Sequence, residues 1–130
     1  MNKEFEKHGF TKIASFYSME EISYLSELID TLQNSYSKQE GYYEKSVHDD
    51  SKSILVRMEK ILSLNNDLDT FFKDNRTQAL LYECLKEDPA LFKDKINFKM
   101  PGNRPDLLHQ DQQAGWSEYA PYFITLCVCL

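Results

Sequence analysis

The sequence predicts an α+β fold, helices first and strands last, within a single unit of 130 residues. Three observations predict it. Apolar residues recur at three- and four-residue steps through residues 22–32 and again through 66–86. After Pro89 the period changes to two, over residues 92–100, 107–112 and 122–130. No internal repeat or low-complexity tract interrupts that order.

Each element follows from local chemistry. A short charged helix opens the chain, and residues 9–16, with Phe10, Ile13 and Phe16 as anchors, suit a short strand. Ser18-Met19-Glu20-Glu21 is a capping box, in which the hydroxyl accepts from an early helical N–H and Glu21 reaches back. Ile22, Leu25, Leu28, Ile29 and Leu32 then form one apolar stripe. Residues 34–53 are polar, rich in Ser and Tyr and without a period, which predicts a long mobile loop of the kind that covers a site. Residues 54–62 alternate in part and suit a strand, though a helical turn fits the same residues. Residues 66–86 predict helix broken near Asn75, and residues 101–105, Pro-Gly-Asn-Arg-Pro, predict a turn. On this division residues 1–90 are mostly helical support and 91–130 the first strands of a sheet.

Composition narrows the function classes. With 42% hydrophobic and 28% charged residues the chain suits one soluble globular domain. Its 15 basic against 21 acidic residues give a net charge of −6, which argues against nucleic acid and anionic membranes as partners. No apolar run approaches the roughly 20 residues that span a bilayer, and Met1-Asn2-Lys3-Glu4 lacks a signal-peptide core. Three cysteines do not suggest a disulfide framework, so a cytoplasmic location with reduced thiols is expected. Residues 121–130 are almost wholly apolar, an exposed strand expected to drive self-association.

The sharpest local feature is His109-Gln110-Asp111. On a strand, residues two apart share a face, so imidazole and carboxylate can meet at one point, two-thirds of a facial metal site. The spacing alone is weak: 21 acids in 130 residues produce it by chance, and His48-Asp49-Asp50 repeats it in a polar loop. A hydrogen-bonded histidine on a β face is the plain alternative. Cys127 and Cys129 read as small hydrophobes on an apolar strand.

Residues 96–102, Ile-Asn-Phe-Lys-Met-Pro-Gly, followed by Leu108-His109-Gln110-Asp111 and Trp116, resemble the phytanoyl-CoA dioxygenase family of Fe(II)- and 2-oxoglutarate-dependent oxygenases. His8-Gly9-Phe10-Thr11-Lys12-Ile13 and the capping box look like that family's N-terminal elements, so the resemblance covers nearly the whole chain. It implies a cupin-like jelly roll, a double-stranded β-helix. It also implies Fe(II) on His109 and Asp111, and 2-oxoglutarate held with help from Lys99 and Asn97. The implied reaction is hydroxylation of a small-molecule or acyl substrate, chosen by residues 34–53 and the region after Trp116. Asp111, where halogenating relatives carry a small residue, fits the hydroxylases. Trp116 walls the substrate pocket or packs on the sheet; Thr125 lines the cavity or serves a core strand; Lys99 is otherwise a solvated strand lysine.

One departure tempers the resemblance. The family's second histidine ligand, and the arginine for the far carboxylate, lie on later strands, and no histidine follows His109 here. The expectation is an incomplete, truncated domain with little oxygenase activity and no assigned acid, base or nucleophile. The alternatives are a non-catalytic binding module or gene remnant of that family, and an unrelated α+β interaction domain with an accidental His-x-Asp.

Overall fold

The computed structural model describes residues 3–130; Met1 and Asn2, part of the N-terminal reading, lie outside them. Helix α1 (Lys3–His8) has acids in its first turn and Lys7 and His8 in its last, matching the helix dipole, and buries nothing. The strand predicted at residues 9–16 does not form. The segment bends through Ser15 (φ 54°) and finds no strand partner. It is held instead by its end: Tyr17 Oη lies 2.9 Å from Thr77 Oγ1, and Arg76 donates to Phe16 O at 3.0 Å.

The capping box forms as predicted: Glu21 N donates to Ser18 Oγ at 3.2 Å and Ser18 N donates to Glu21 Oε2 at 2.7 Å. Helix α2 (Met19–Glu40) buries Leu25, Leu28 and Leu32 from the predicted stripe. It also runs through the first third of the predicted loop. Residues 34–40 are polar because that end of the helix is solvated, and they contain neither Gly nor Pro to stop it. It ends at Gly41, whose backbone is extended (φ −81°, ψ 138°) with its N–H on Ser37 O, and only glycine fits there, because a Cβ would clash with Ser37 O and Leu55 Cδ1.

The rest of that stretch is strand and turn. Strand β1 (Gly41–Lys45) pairs antiparallel with β2 (Ser53–Glu59), which pairs antiparallel with β3 (Lys95–Asn97), giving the order β1-β2-β3. The register steps from Tyr42↔Arg57 to Tyr43↔Leu55, skipping Val56. This bulge lets Leu55 and Met58, three apart, both enter the core, which explains the imperfect alternation of β2. The helical break comes at residues 73–74, between α4 (Asn66–Phe72) and α5 (Asn75–Leu85), with a short α3 (Ile61–Leu64) before them. Asn65 caps α4 and Asp74 caps α5 through their side chains. Two of the three strands therefore precede these helices, correcting the helices-first order.

The predicted strand over residues 92–100 shortens to β3, extended by Phe98 N donating to Val56 O at 2.9 Å. Residues 107–112 and 122–130 are not strands. They are irregular, with 3-10 turns at Asp111–Ala114 and Trp116–Glu118 in and after the first of them, since alternation orients side chains but a ladder needs a neighbour. The core joins Leu25, Leu28 and Leu32 to Leu55, Met58, Ile61, Leu62 and Leu68, with Ile96, Phe98 and Val128 packed against it. The outcome is α+β with a small antiparallel sheet. No helix among the described residues is long and apolar enough to cross a membrane.

Candidate functional site

Because Ile96 and Phe98 turn to the core, the period of two sends Lys95, Asn97 and Lys99 to the outer face of the sheet. The register sets Arg57 against Asn97 and Glu59 against Lys95, and the bulge at Val56 places Arg57 on that face. The Arg57 guanidinium sits 4.6 Å from the Tyr42 ring centroid, with Nε 3.2 Å from Glu59 Oε1. Lys93 Nζ reaches the same oxygen at 2.9 Å. That hydrogen bond, aided by the charges of Lys93, Arg57 and Lys95 and opposed by partial burial, holds the Glu59 carboxyl below its usual range.

Two open cavities flank Arg57, which lines both. The first, about 270 Å³, contains Asn97, Lys99, Asn103, Arg104 and Asp106. Lys99 is paired with Asp106, and that hydrogen bond and charge lower the Asp106 carboxyl. Arg104 donates from Nε and Nη2 to the two oxygens of Glu44 at 2.8 and 2.9 Å, tying the turn after β3 to β1.

The second cavity, about 380 Å³, is lined by Lys93, Lys95, His109, Asp111 and Trp116 beside Arg57. His109 Nδ1 lies 2.8 Å from Leu107 O. A carbonyl only accepts, so this bond puts a proton on Nδ1 and turns Nε2 toward Asp111. That nitrogen lies 3.3 Å from Asp111 Oδ1. A nitrogen and a carboxylate oxygen this close are bridged by a proton or by a metal ion, and a backbone-oriented imidazole with a carboxylate is a normal metal donor pair. Trp116 lines the cavity and packs edge-on to Phe92 and Phe123, each at 5.3 Å.

The structure thus gathers His109, Asp111 and Trp116 in one cavity and Asn97 and Lys99 in its neighbour. Thr125 lines neither; it is exposed with Cys127 and Cys129, while Val128 turns to the core. Among the described residues, no three His, Cys, Asp or Glu side chains converge as a metal cluster. His48 is exposed in the β1–β2 connection. Sequence reasoning missed Arg57, Lys93 and Lys95; the one available signal was an arginine inside an otherwise apolar run at residues 54–58.

No family model matches the chain, and no solved structure matches it significantly. Three curated proteins do resemble it. It is 29% identical to a probable alpha-ketoglutarate-dependent hypophosphite dioxygenase of Stutzerimonas stutzeri, over 98% of this chain and 46% of that one. The chain is similar to dioxygenases. It is 28% identical to a 2-aminoethylphosphonate dioxygenase of an uncultured bacterium, HF130_AEPn_1, over 96% of this chain and 48% of the relative. The third, dioxygenase lolE1 of Epichloe uncinata, is 28% identical over 68% of this chain and 33% of its own length. The chain spans about half the length of the first two relatives.

Proposed function

We propose that the chain forms the N-terminal part of an Fe(II)- and 2-oxoglutarate-dependent dioxygenase of the phytanoyl-CoA dioxygenase type, acting in the cytoplasm on a small molecule. One observation carries the proposal: His109 Nε2 and Asp111 Oδ1, 3.3 Å apart, face a cavity at the sheet surface. The similarity to dioxygenases over nearly the whole chain supports it. His109 and Asp111 would hold the iron with a third ligand from outside these 130 residues. Asn97 and Lys99 would hold 2-oxoglutarate, whose carboxylate takes the place of Asp106 on Lys99. Residues 107–112 and 122–130 would pair as strands of a jelly roll, bringing Thr125 to the cavity. Bound iron supplies the oxidising chemistry: dioxygen converts 2-oxoglutarate to succinate and carbon dioxide and C–H to C–OH. The protein's residues bind, orient and exclude water, with Trp116 as a wall. The names of two relatives direct the choice of substrate toward small phosphorus compounds.

Anaerobic titration with Fe(II) and 2-oxoglutarate tests the proposal. A weak visible charge-transfer band should grow in and be lost in His109→Ala. A second reading, a non-catalytic binding module of the same fold, is favoured by the two-ligand set; no band in the chain or in any longer form of it supports that reading and defeats the first.

A further inference from the structure

The chain carries a net charge of −6, yet the cavity beside His109 and Asp111 has three cations in its lining, Arg57, Lys93 and Lys95, against the single carboxylate of Asp111. We propose that this cluster, with Arg57 as anchor, is the subsite for a tetrahedral phosphorus oxyanion on the substrate. The inference rests on the dioxygenase reading, since it assigns the substrate end of that same cavity.

The three cations are fixed to different degrees. Arg57 lies over the Tyr42 ring and within ion-pair distance of Glu59, its buried Nε–H making no hydrogen bond, and the guanidinium presents a planar fork of donors. Lys93 is tied to Glu59 at 2.9 Å, whereas Lys95 makes no ion pair among the described residues. Glu59 and Asp111 together balance two of the three charges, so an anion entering the cavity meets an excess of one positive charge. Gln110 and Gln113 also line the cavity and add amide groups, and Trp116 gives an apolar wall. A tetrahedral oxyanion needs donors from several directions, which an arginine fork and two lysines on adjacent segments supply. At about 380 Å³ the cavity suits a compact ligand. The bulge at Val56 makes this possible, because it sends Arg57 outward while Met58 enters the core.

The test is an NMR titration of the 130-residue chain with methylphosphonate, and with acetate and 2-oxoglutarate as carboxylate controls, read at Arg57 Nε–H, the Lys93 and Lys95 amides and the Trp116 indole. Methylphosphonate should bind saturably and about tenfold more tightly than acetate, and Arg57→Gln should weaken it about tenfold, as expected for loss of a charged bidentate contact. Should Arg57→Gln fail to fold, Lys95→Gln, at an exposed strand position, should weaken binding about threefold. Equal binding of acetate, tighter binding of 2-oxoglutarate at these groups, or indifference to either variant overturns the proposal. Mn(II) broadening of His109, measured alongside, reports on the dioxygenase reading separately and should survive Arg57→Gln.

Discussion

Gly102→Ala is the substitution whose cost the structure specifies most closely. Gly102 has φ +91°, a region in which an L side chain costs about 1–2 kcal/mol. A Cβ there would also meet Ser46 Oγ at 2.6 Å and Ile54 Cδ1 at 3.0 Å. Ser46 cannot move aside freely: it is buried, and its hydroxyl accepts from His48 N at 3.2 Å, a bond worth about 1 kcal/mol. The sum is about 2–3 kcal/mol, or a fall of roughly 8–12 °C in Tm for a domain of this size. The same turn receives Val47 N on Gly102 O at 2.9 Å and leads to Asp106 and His109, so the loss should loosen the site as well. Denaturant unfolding of Gly102→Ala, Ser46→Ala and the double variant checks the reasoning. Removing the hydroxyl should return about 1 kcal/mol of the alanine's cost as a coupling term. A Gly102→Ala cost below about 0.5 kcal/mol, or strictly additive variants, refutes it.

Three further outcomes are expected. Asp106→Asn frees Lys99 from its internal carboxylate and should tighten 2-oxoglutarate binding several-fold by calorimetry, while Lys99→Met weakens it. Because the Lys93 hydrogen bond holds the Glu59 carboxyl below the usual glutamate range, its contribution is fully present above the unfolded-chain glutamate pKa of about 4.3 and lost as pH falls through the lower native value. Glu59→Gln should therefore flatten the acid limb of a stability–pH curve and cost about 1 kcal/mol at pH 7. Leu108, Leu126 and Leu130 are exposed, so sedimentation should show concentration-dependent self-association that Leu126→Lys with Leu130→Lys reduces.

What was legible from sequence was what neighbours in the chain decide. The Ser18–Glu21 box, the Leu25–Leu28–Leu32 stripe and the break before Asn75 depend on contacts within a few residues, and all three form. Residues 34–40 were misread because a solvated helix end has the composition of a loop. β1 was missed because its outward tyrosines read as loop residues, and β2 was blurred by the bulge at Val56. Residues 107–112 and 122–130 have the alternation of strands without a ladder partner among the described residues. The site divides in the same way. His109 and Asp111, two apart, were visible as a pair, whereas Arg57 joins them only through the register of β2 on β3, which no local pattern encodes.

The central claim is that His109 Nε2 and Asp111 Oδ1 together receive a divalent metal. Titrating the chain with Mn(II) and recording its paramagnetic broadening by NMR tests this most directly, since it needs neither turnover nor a third ligand. Broadening should centre on His109, Asp111 and the Trp116 indole and disappear in both His109→Ala and Asp111→Asn. Broadening centred on the acids around His48, or unchanged in those variants, would contradict the claim.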